Sequence, residues 1–365
     1  MESIKDNKNA IIRAVNTLQK GGLVIMPTET LYAAMVDATN PLAVKKLTAY
    51  KNRPLGKPFS IAVTNQKMAE NYVFLNQTAK SLYKKYLPGP LTIVSNGKHK
   101  VAKGVESERG NLGIRIPKHD LVLKVIEKLG RPVTATSANA SYKKRPYTIS
   151  DILDNLSSKQ KRLIDLIIDA GELPHNEPST VIDTTYDDPV VLRQGEIKLK
   201  DRVEVLSRSE EDTKNTAKEL WQKYEKYKGK RAIIFALEGE MGVGKTQFTK
   251  GLALTLGIKD EVISPTFILE SEYDSSQEKA ALIHIDTWRM QNPEELLELG
   301  FTKRVLEKKV LAIEWAERVS SIIREFDEEA IIIWVKIKYG KRPARNASYS
   351  DAGRENDRLI SWGVL

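Results

Sequence analysis

Residues 239–246 read Gly-Glu-Met-Gly-Val-Gly-Lys-Thr, which sets glycines, a lysine and a hydroxyl at the spacing that wraps a backbone around phosphate. Glycine lets the chain turn with its N–H groups facing inward. Gly239, Gly242 and Gly244 would form that cradle, Lys245 would reach the β- and γ-phosphates of ATP, and the Thr246 hydroxyl would bind Mg2+. Two carboxylates follow, Asp286 at the end of the apolar run 281–285 and Glu314 at the end of 310–313. A carboxylate at such a strand end can hold Mg2+ or orient an attacking water, the two jobs phosphoryl transfer asks of it.

The N-terminal half offers cations and neutral donors instead. Thr28, Glu29, Thr30 and Tyr32 follow the apolar run 23–26, so their polar groups should emerge at a strand end, where small substrates bind. Lys51, Arg53 and Lys57 cluster at the end of a predicted helix, a place where cations also simply complement the helix dipole. Arg115 sits among apolar neighbours in Gly-Ile-Arg-Ile-Pro, and a charge so placed usually has a specific anionic partner. Ser137 and Asn139 end the predicted strand 133–136, Ser179 and Thr180 open another, and Arg193 ends a third. Taken singly, each is equally well read as a turn or cap residue.

The elements that must position these groups alternate. Strands are expected at 23–26, 59–63, 91–95, 112–116, 133–136, 166–169, 181–184 and 190–193, with helices at 41–51, 76–86 and 121–129, an α/β pattern with a large mixed sheet. A second series has a helix at 213–227, a strand at 232–238, the glycine loop, a helix from 246 to about 256, and strands at 281–285, 310–313 and 330–337. Strand signals pause around 202–213, so three segments are expected: 1–207, 208–340, and a polar tail at 341–365.

At 365 residues the chain fits two domains better than one core. The net charge of +10 is unevenly spread. Residues 1–208 hold 33 Lys+Arg against 21 Asp+Glu, a difference of +12, and the remainder holds 25 against 27, or −2. A basic first half implies anionic substrates, a nucleic-acid surface or both, with solubility as the plain alternative. With no cysteine, thiol catalysis, disulfides and thiolate metal sites are excluded. No apolar stretch approaches the roughly 18 residues of a membrane span, and no secretory signal opens the chain, so a cytoplasmic protein without a membrane partner is expected.

Two resemblances join these observations. The glycine loop, Ser264-Pro265-Thr266-Phe267, His284-Ile285-Asp286-Thr287-Trp288-Arg289, Glu298-Leu299-Gly300 and Glu314-Trp315-Ala316-Glu317 occur in the order of the TsaE family of small P-loop ATPases. That resemblance implies that Thr246 and Glu314 partner Mg2+, that Asp286 is needed for hydrolysis and that Thr266 belongs to a nucleotide-sensing segment. Trp288 stands where that family usually has tyrosine. The stretch Pro27 to Tyr32, Lys51-x-Arg53, Leu87-Pro88-Gly89-Pro90, residues 113–117, Thr136 to Asn139, residues 178–183 and residues 192–195 together resemble the YrdC family of threonylcarbamoyl-AMP synthases. It implies a YrdC-like α/β domain with a large twisted mixed sheet and a basic groove. Lys51, Arg53, Ser137 and Asn139 would contact ATP and bicarbonate, with Lys57 and Arg193 also on the ATP. Thr30, Tyr32, Arg115, Ser179 and Thr180 would line the L-threonine site. Ala33-Ala34 and Ala140-Ser141-Tyr142 depart from the family pattern.

The chain thus resembles a fusion making threonylcarbamoyl-AMP and pyrophosphate from L-threonine, bicarbonate and ATP, with ATP used at two sites. The fused ATPase would support transfer to tRNA by a separate TsaD/TsaB-type complex, and a tRNA contact is compatible with the basic half. The alternative is an RNA-binding protein with a P-loop nucleotide switch and no synthesis. Carbamoyl transferases of hydrogenase maturation share the YrdC-like fold, but the zinc-finger cysteines expected beside it are missing.

Overall fold

Asn40 starts the helix on which the first candidate site depends. Its side chain accepts the N–H groups of Leu42 and Ala43, Pro41 fills the first helical position, and Asn52 ends the helix in the left-handed region at φ 48°. The helix Pro41–Lys51 therefore delivers Lys51 at its last turn. In the computed structural model, residues 2–5, 8–52, 58–139, 144–185, 189–197, 203–276, 279, 281–340 and 357–364 are described. Arg53, Lys57, the Ala140-Ser141-Tyr142 departure and most of the expected polar tail lie outside them.

The chain divides into units Met1–Leu199 and Lys200–Leu365. Among the described residues the first holds two mixed sheets. One runs Glu2–Lys5, Leu166–Asp169, Val24–Met26, Ala33–Met35, Thr136–Ser137. The other runs Val190–Arg193, Thr180–Asp183, Leu91–Gly97, Asn111–Arg115, Ile61–Ala62, Val133–Thr134, with Val73–Phe74 beside Leu91–Gly97. The expected large mixed sheet is the seven-stranded one, the five-stranded sheet adds a second, and the predicted strand 133–136 divides between the two. Ala135 gives its N–H to Ser60 O at 2.7 Å, so the halves on either side of it join different sheets. Alternation along the second strand fills two cores. Leu23 and Ile25 face the layer between the sheets with Ile61, Ile93 and Ile114, while Val24 and Met26 pack against the helices Lys8–Gln19 and Asp120–Leu129.

The second unit is one seven-stranded sheet: Val203–Ser207, Arg358–Val364, Ala330–Tyr339, Ala232–Glu238, Val310–Glu314, Leu282–Asp286, Glu270–Tyr273. Its four inner strands from 330–339 to 282–286 are parallel, which is why 232–237 is apolar at every position and buried throughout. Two expectations change. Val203–Ser207, placed with the first module, pairs antiparallel with Arg358–Val364, so the boundary falls earlier than residue 207. The last residues, expected as polar tail, supply that strand, whose Ile360 and Val364 are buried against the sheet.

Candidate active sites

In the first unit Lys51 is almost completely buried, at 1% exposure, and its ammonium donates to Ser137 O at 2.9 Å and Asn139 O at 2.7 Å. Ser137 Oγ lies 3.4 Å away. Tyr50, one residue earlier, donates its hydroxyl to Ala138 O, and burial pushes that phenol above its ordinary pKa. The helix end therefore clamps the 137–139 segment with consecutive side chains. That segment in turn gives Ala138 N–H to Tyr32 O at 2.8 Å, which brings the 28–32 turn alongside.

The turn is tied by its hydroxyls. Thr28 Oγ1 lies 3.1 Å from Thr30 Oγ1 and donates to Leu31 O at 2.7 Å. Arg115, ending its strand, donates to Thr30 Oγ1 at 2.9 Å and pairs with Glu29 at 2.9 Å. Burial alone would raise the Glu29 carboxyl, but the charge and hydrogen bond of Arg115 outweigh it and hold the group below the ordinary carboxylate range. The sequence places Glu29 at this strand end without giving it Arg115 as a partner. Its signal is a carboxylate between two threonines just after a buried strand, matched by an arginine flanked by apolar residues.

Strand register extends the row. Arg115 pairs with Thr92 on the neighbouring strand. Thr92 Oγ1 lies 2.9 Å from Ser179 Oγ, and Arg193 donates to Ser179 O at 2.8 and 3.0 Å and to its hydroxyl at 3.2 Å. Arg193, Ser179, Thr92, Arg115 and Thr30 thus form one line of cations and hydroxyls across the sheet. Two expected members of the threonine site do other work. Tyr32 is fully buried, donating to Gly171 O and accepting from Ala170 N, both at 2.8 Å, so its hydroxyl braces the 169–171 turn. Thr180 Oγ1 donates to Ile197 O and accepts Gly195 N–H, pinning the segment after Arg193.

In the second unit Gly239 leaves no room for a side chain, since a Cβ there would lie 2.4 Å from Ile337 O. Gly244, at φ 109°, turns the loop into the helix Lys245–Thr255. Lys245 folds back to donate to Gly239 O at 2.7 Å and Glu240 O at 2.9 Å, with its Nζ 3.6 Å from the Trp315 ring centroid. Burial lowers its pKa, opposed by the charges of Glu314, Glu317 and Asp286. Thr246 donates to Glu314 Oε1 at 2.8 Å. Asp286 and Glu314 stand side by side in register on parallel strands. Asp286 accepts Thr266 Oγ1 at 2.6 Å, Ser264 Oγ at 3.0 Å and Trp288 N–H at 2.9 Å, so the loop 264–266 hangs on that carboxylate. Glu317, the last residue of the motif that begins at Glu314, is raised in pKa by burial and by Glu238. The late strand also reaches the loop: Tyr339 donates to Met241 O at 2.9 Å and Arg358 to Val243 O at 3.2 Å.

Comparison with known proteins follows the same division. The family model Sua5–YciO–YrdC, described as telomere recombination, matches residues 16–195, and that of threonylcarbamoyl adenosine biosynthesis protein TsaE matches residues 207–346. A putative threonylcarbamoyl-AMP synthase of Methanocaldococcus jannaschii is 35% identical over 49% of this chain and 83% of its own. A threonylcarbamoyl-AMP synthase of Pyrococcus abyssi is 34% identical over 53% of this chain, which spans 56% of that protein. The crystal structure of P. abyssi Sua5 complexed with L-threonine aligns over 91% of this chain and 98% of its own with a TM-score of 0.52 at 23% identity, a likeness of fold.

Proposed function

Because the chain belongs to the Sua5–YciO–YrdC family and carries a TsaE unit behind it, we propose that its first unit makes threonylcarbamoyl-AMP and its second hydrolyses ATP in support of that product's use on tRNA. The observation that carries the reading is the convergence of buried Lys51 on Ser137 and Asn139 beside the arginine-and-hydroxyl line.

In the first unit the amine of L-threonine forms an N–C bond to bicarbonate carbon with loss of water. A carbamate oxygen then bonds to the α-phosphorus of ATP as the bond to the β-phosphate bridge breaks, and pyrophosphate leaves. No protein nucleophile is needed, so catalysis is positioning and charge stabilisation. Lys51, Ser137 and Asn139, with Arg53, hold ATP and the carbamate. Arg193 and Lys57 take phosphate oxygens. Arg115, Thr30 and Ser179 receive threonine, Arg115 through its carboxylate.

In the second unit the donors fit Mg2+: the Thr246 hydroxyl and Glu314 carboxylate are hard oxygens meeting at the loop. Among the described residues no group of three or more His, Asp or Glu could hold a metal. Bound there, Mg2+ would offset charge on the β- and γ-phosphates. Lys245 would exchange its two carbonyls for phosphate oxygens, and Asp286 would order the attacking water while holding Thr266. The product passes to a separate TsaD/TsaB-type transferase in the cytoplasm. Among the described residues no helix is long and apolar enough to cross a membrane.

The test is incubation with L-threonine, bicarbonate and Mg-ATP. Threonylcarbamoyl-AMP and pyrophosphate should form together, and omission of threonine or bicarbonate should stop both. A chain that binds tRNA yet forms neither would be the nucleotide-switched RNA binder instead.

A further inference from the structure

We propose that His284 is a positioning residue for the second ATP site, fixing the Glu314 carboxylate in the orientation that Thr246 and Mg2+ require; this rests on reading the second unit as an ATPase. His284 lies mid-strand in Leu282–Asp286, two residues before Asp286 and on the same face. It is wholly buried, and its Nε2 is 2.9 Å from Glu314 Oε1. That same oxygen accepts the Thr246 hydroxyl at 2.8 Å. A ring nitrogen facing a carboxylate oxygen must carry the hydrogen, so Nε2–H donates. Two donors from different elements on one oxygen set both the position and the plane of the carboxylate. The other ring nitrogen, Nδ1, is buried with no hydrogen-bond partner among the described residues. Leucine would fill a buried strand position without stranding a polar atom, so the cost of Nδ1 is offset by what Nε2 does. Tyr273, 6.5 Å away between ring centroids, packs beside the ring. Carboxylates that hold metals depend on such neighbours for geometry.

All five tryptophans, at 221, 288, 315, 334 and 362, lie in the second unit, so tryptophan fluorescence of the full chain comes from that unit. The experiment titrates ATP into wild type, His284→Leu and His284→Gln, in Mg2+ and in EDTA. Glutamine places an amide N–H near the position of Nε2. Leucine should weaken Mg-ATP binding about 10- to 100-fold, leave the affinity in EDTA within about twofold, and be rescued by glutamine. A thermal melt followed by tryptophan fluorescence checks that the second unit of each chain is folded, and threonine-dependent pyrophosphate release checks the first. If the leucine chain does not fold, His284→Asn, whose amide falls short of Glu314, takes its place. Equal losses in Mg2+ and EDTA, or an unchanged Mg2+ dependence, overturn the role. A wild-type chain that binds no ATP in either condition refutes instead the reading of the second unit.

Discussion

Replacing Lys51 with methionine keeps all but the last atom of the side chain's length and removes its charge. The ammonium makes two short hydrogen bonds, to Ser137 O and Asn139 O, and hydrogen bonds to a charged group are each worth about 1.5–3 kcal/mol. Those values are already net of desolvation, so up to about 3–6 kcal/mol is lost, and both carbonyls lose this donor. Apolar burial of the methionine offsets only part of that, so Tm should fall clearly in a chain that still folds. Catalysis has no such compensation. A preorganised donor facing developing charge is worth roughly 10²–10³ in rate, and Lys51 carries both the charge and the shape of the 137–139 segment. Threonine- and bicarbonate-dependent pyrophosphate release should fall at least about 10²-fold in Lys51→Met, with tryptophan-detected ATP binding by the second unit unchanged. A folded variant that releases pyrophosphate within about threefold of wild type would refute the assignment of charge stabilisation to this residue.

Lys245→Ala should do the reverse, weakening ATP binding in the second unit by at least about tenfold through loss of a charged phosphate contact, with threonylcarbamoyl-AMP synthesis within about twofold; product analysis by chromatography separates the two. Glu29 gives a pH test. Its carboxyl is held low by Arg115 against burial, so its contribution to stability is complete above its unfolded pKa and is lost as pH falls through the lower folded value. The first unit of wild type should therefore lose stability below about pH 4.5, and Glu29→Gln should flatten that acid limb in a melt series. Ile360 is fully buried, and Ile360→Asp should cost about 3–5 kcal/mol as an unpaired buried charge. Fluorescence-detected ATP binding should then disappear while pyrophosphate release persists.

Much of this was legible because local chemistry and long-range packing agreed. The strands 166–169 and 190–193 and the helix 41–51 fall where apolar runs, Asn40-Pro41 and the polar residues after Lys51 place them. The glycine loop was readable since only glycine fits beside Ile337 and at φ 109°. What escaped depended on partners distant in sequence. Tyr32 and Thr180 look like site residues because both sit in polar motifs, and only the approach of Gly171 and Ile197 shows their hydroxyls engaged with backbone. His284 read as part of an apolar strand until Glu314 came beside it. The strand Arg358–Val364 escaped because Ser361, Trp362 and Gly363 break the apolar alternation, and its pairing supplies what propensity does not.

That strand also orders events in time. Val203 pairs with Trp362 and Ser207 with Arg358, so the first strand of the second unit finds its neighbour only when residues about 150 positions later have been made. Until then the edge of Ala330–Tyr339 and all of Val203–Ser207 present open backbone, a template for pairing with other chains. At ordinary synthesis rates of about 5–20 residues per second, the exposure of Val203–Ser207 lasts on the order of ten seconds or more, and that of the later edge about a few seconds. The synthase unit has its own strands in hand by then. A ribosome-bound chain should therefore gain the first activity well before the second, and the P-loop, which Arg358 buttresses through Val243 O, is set last.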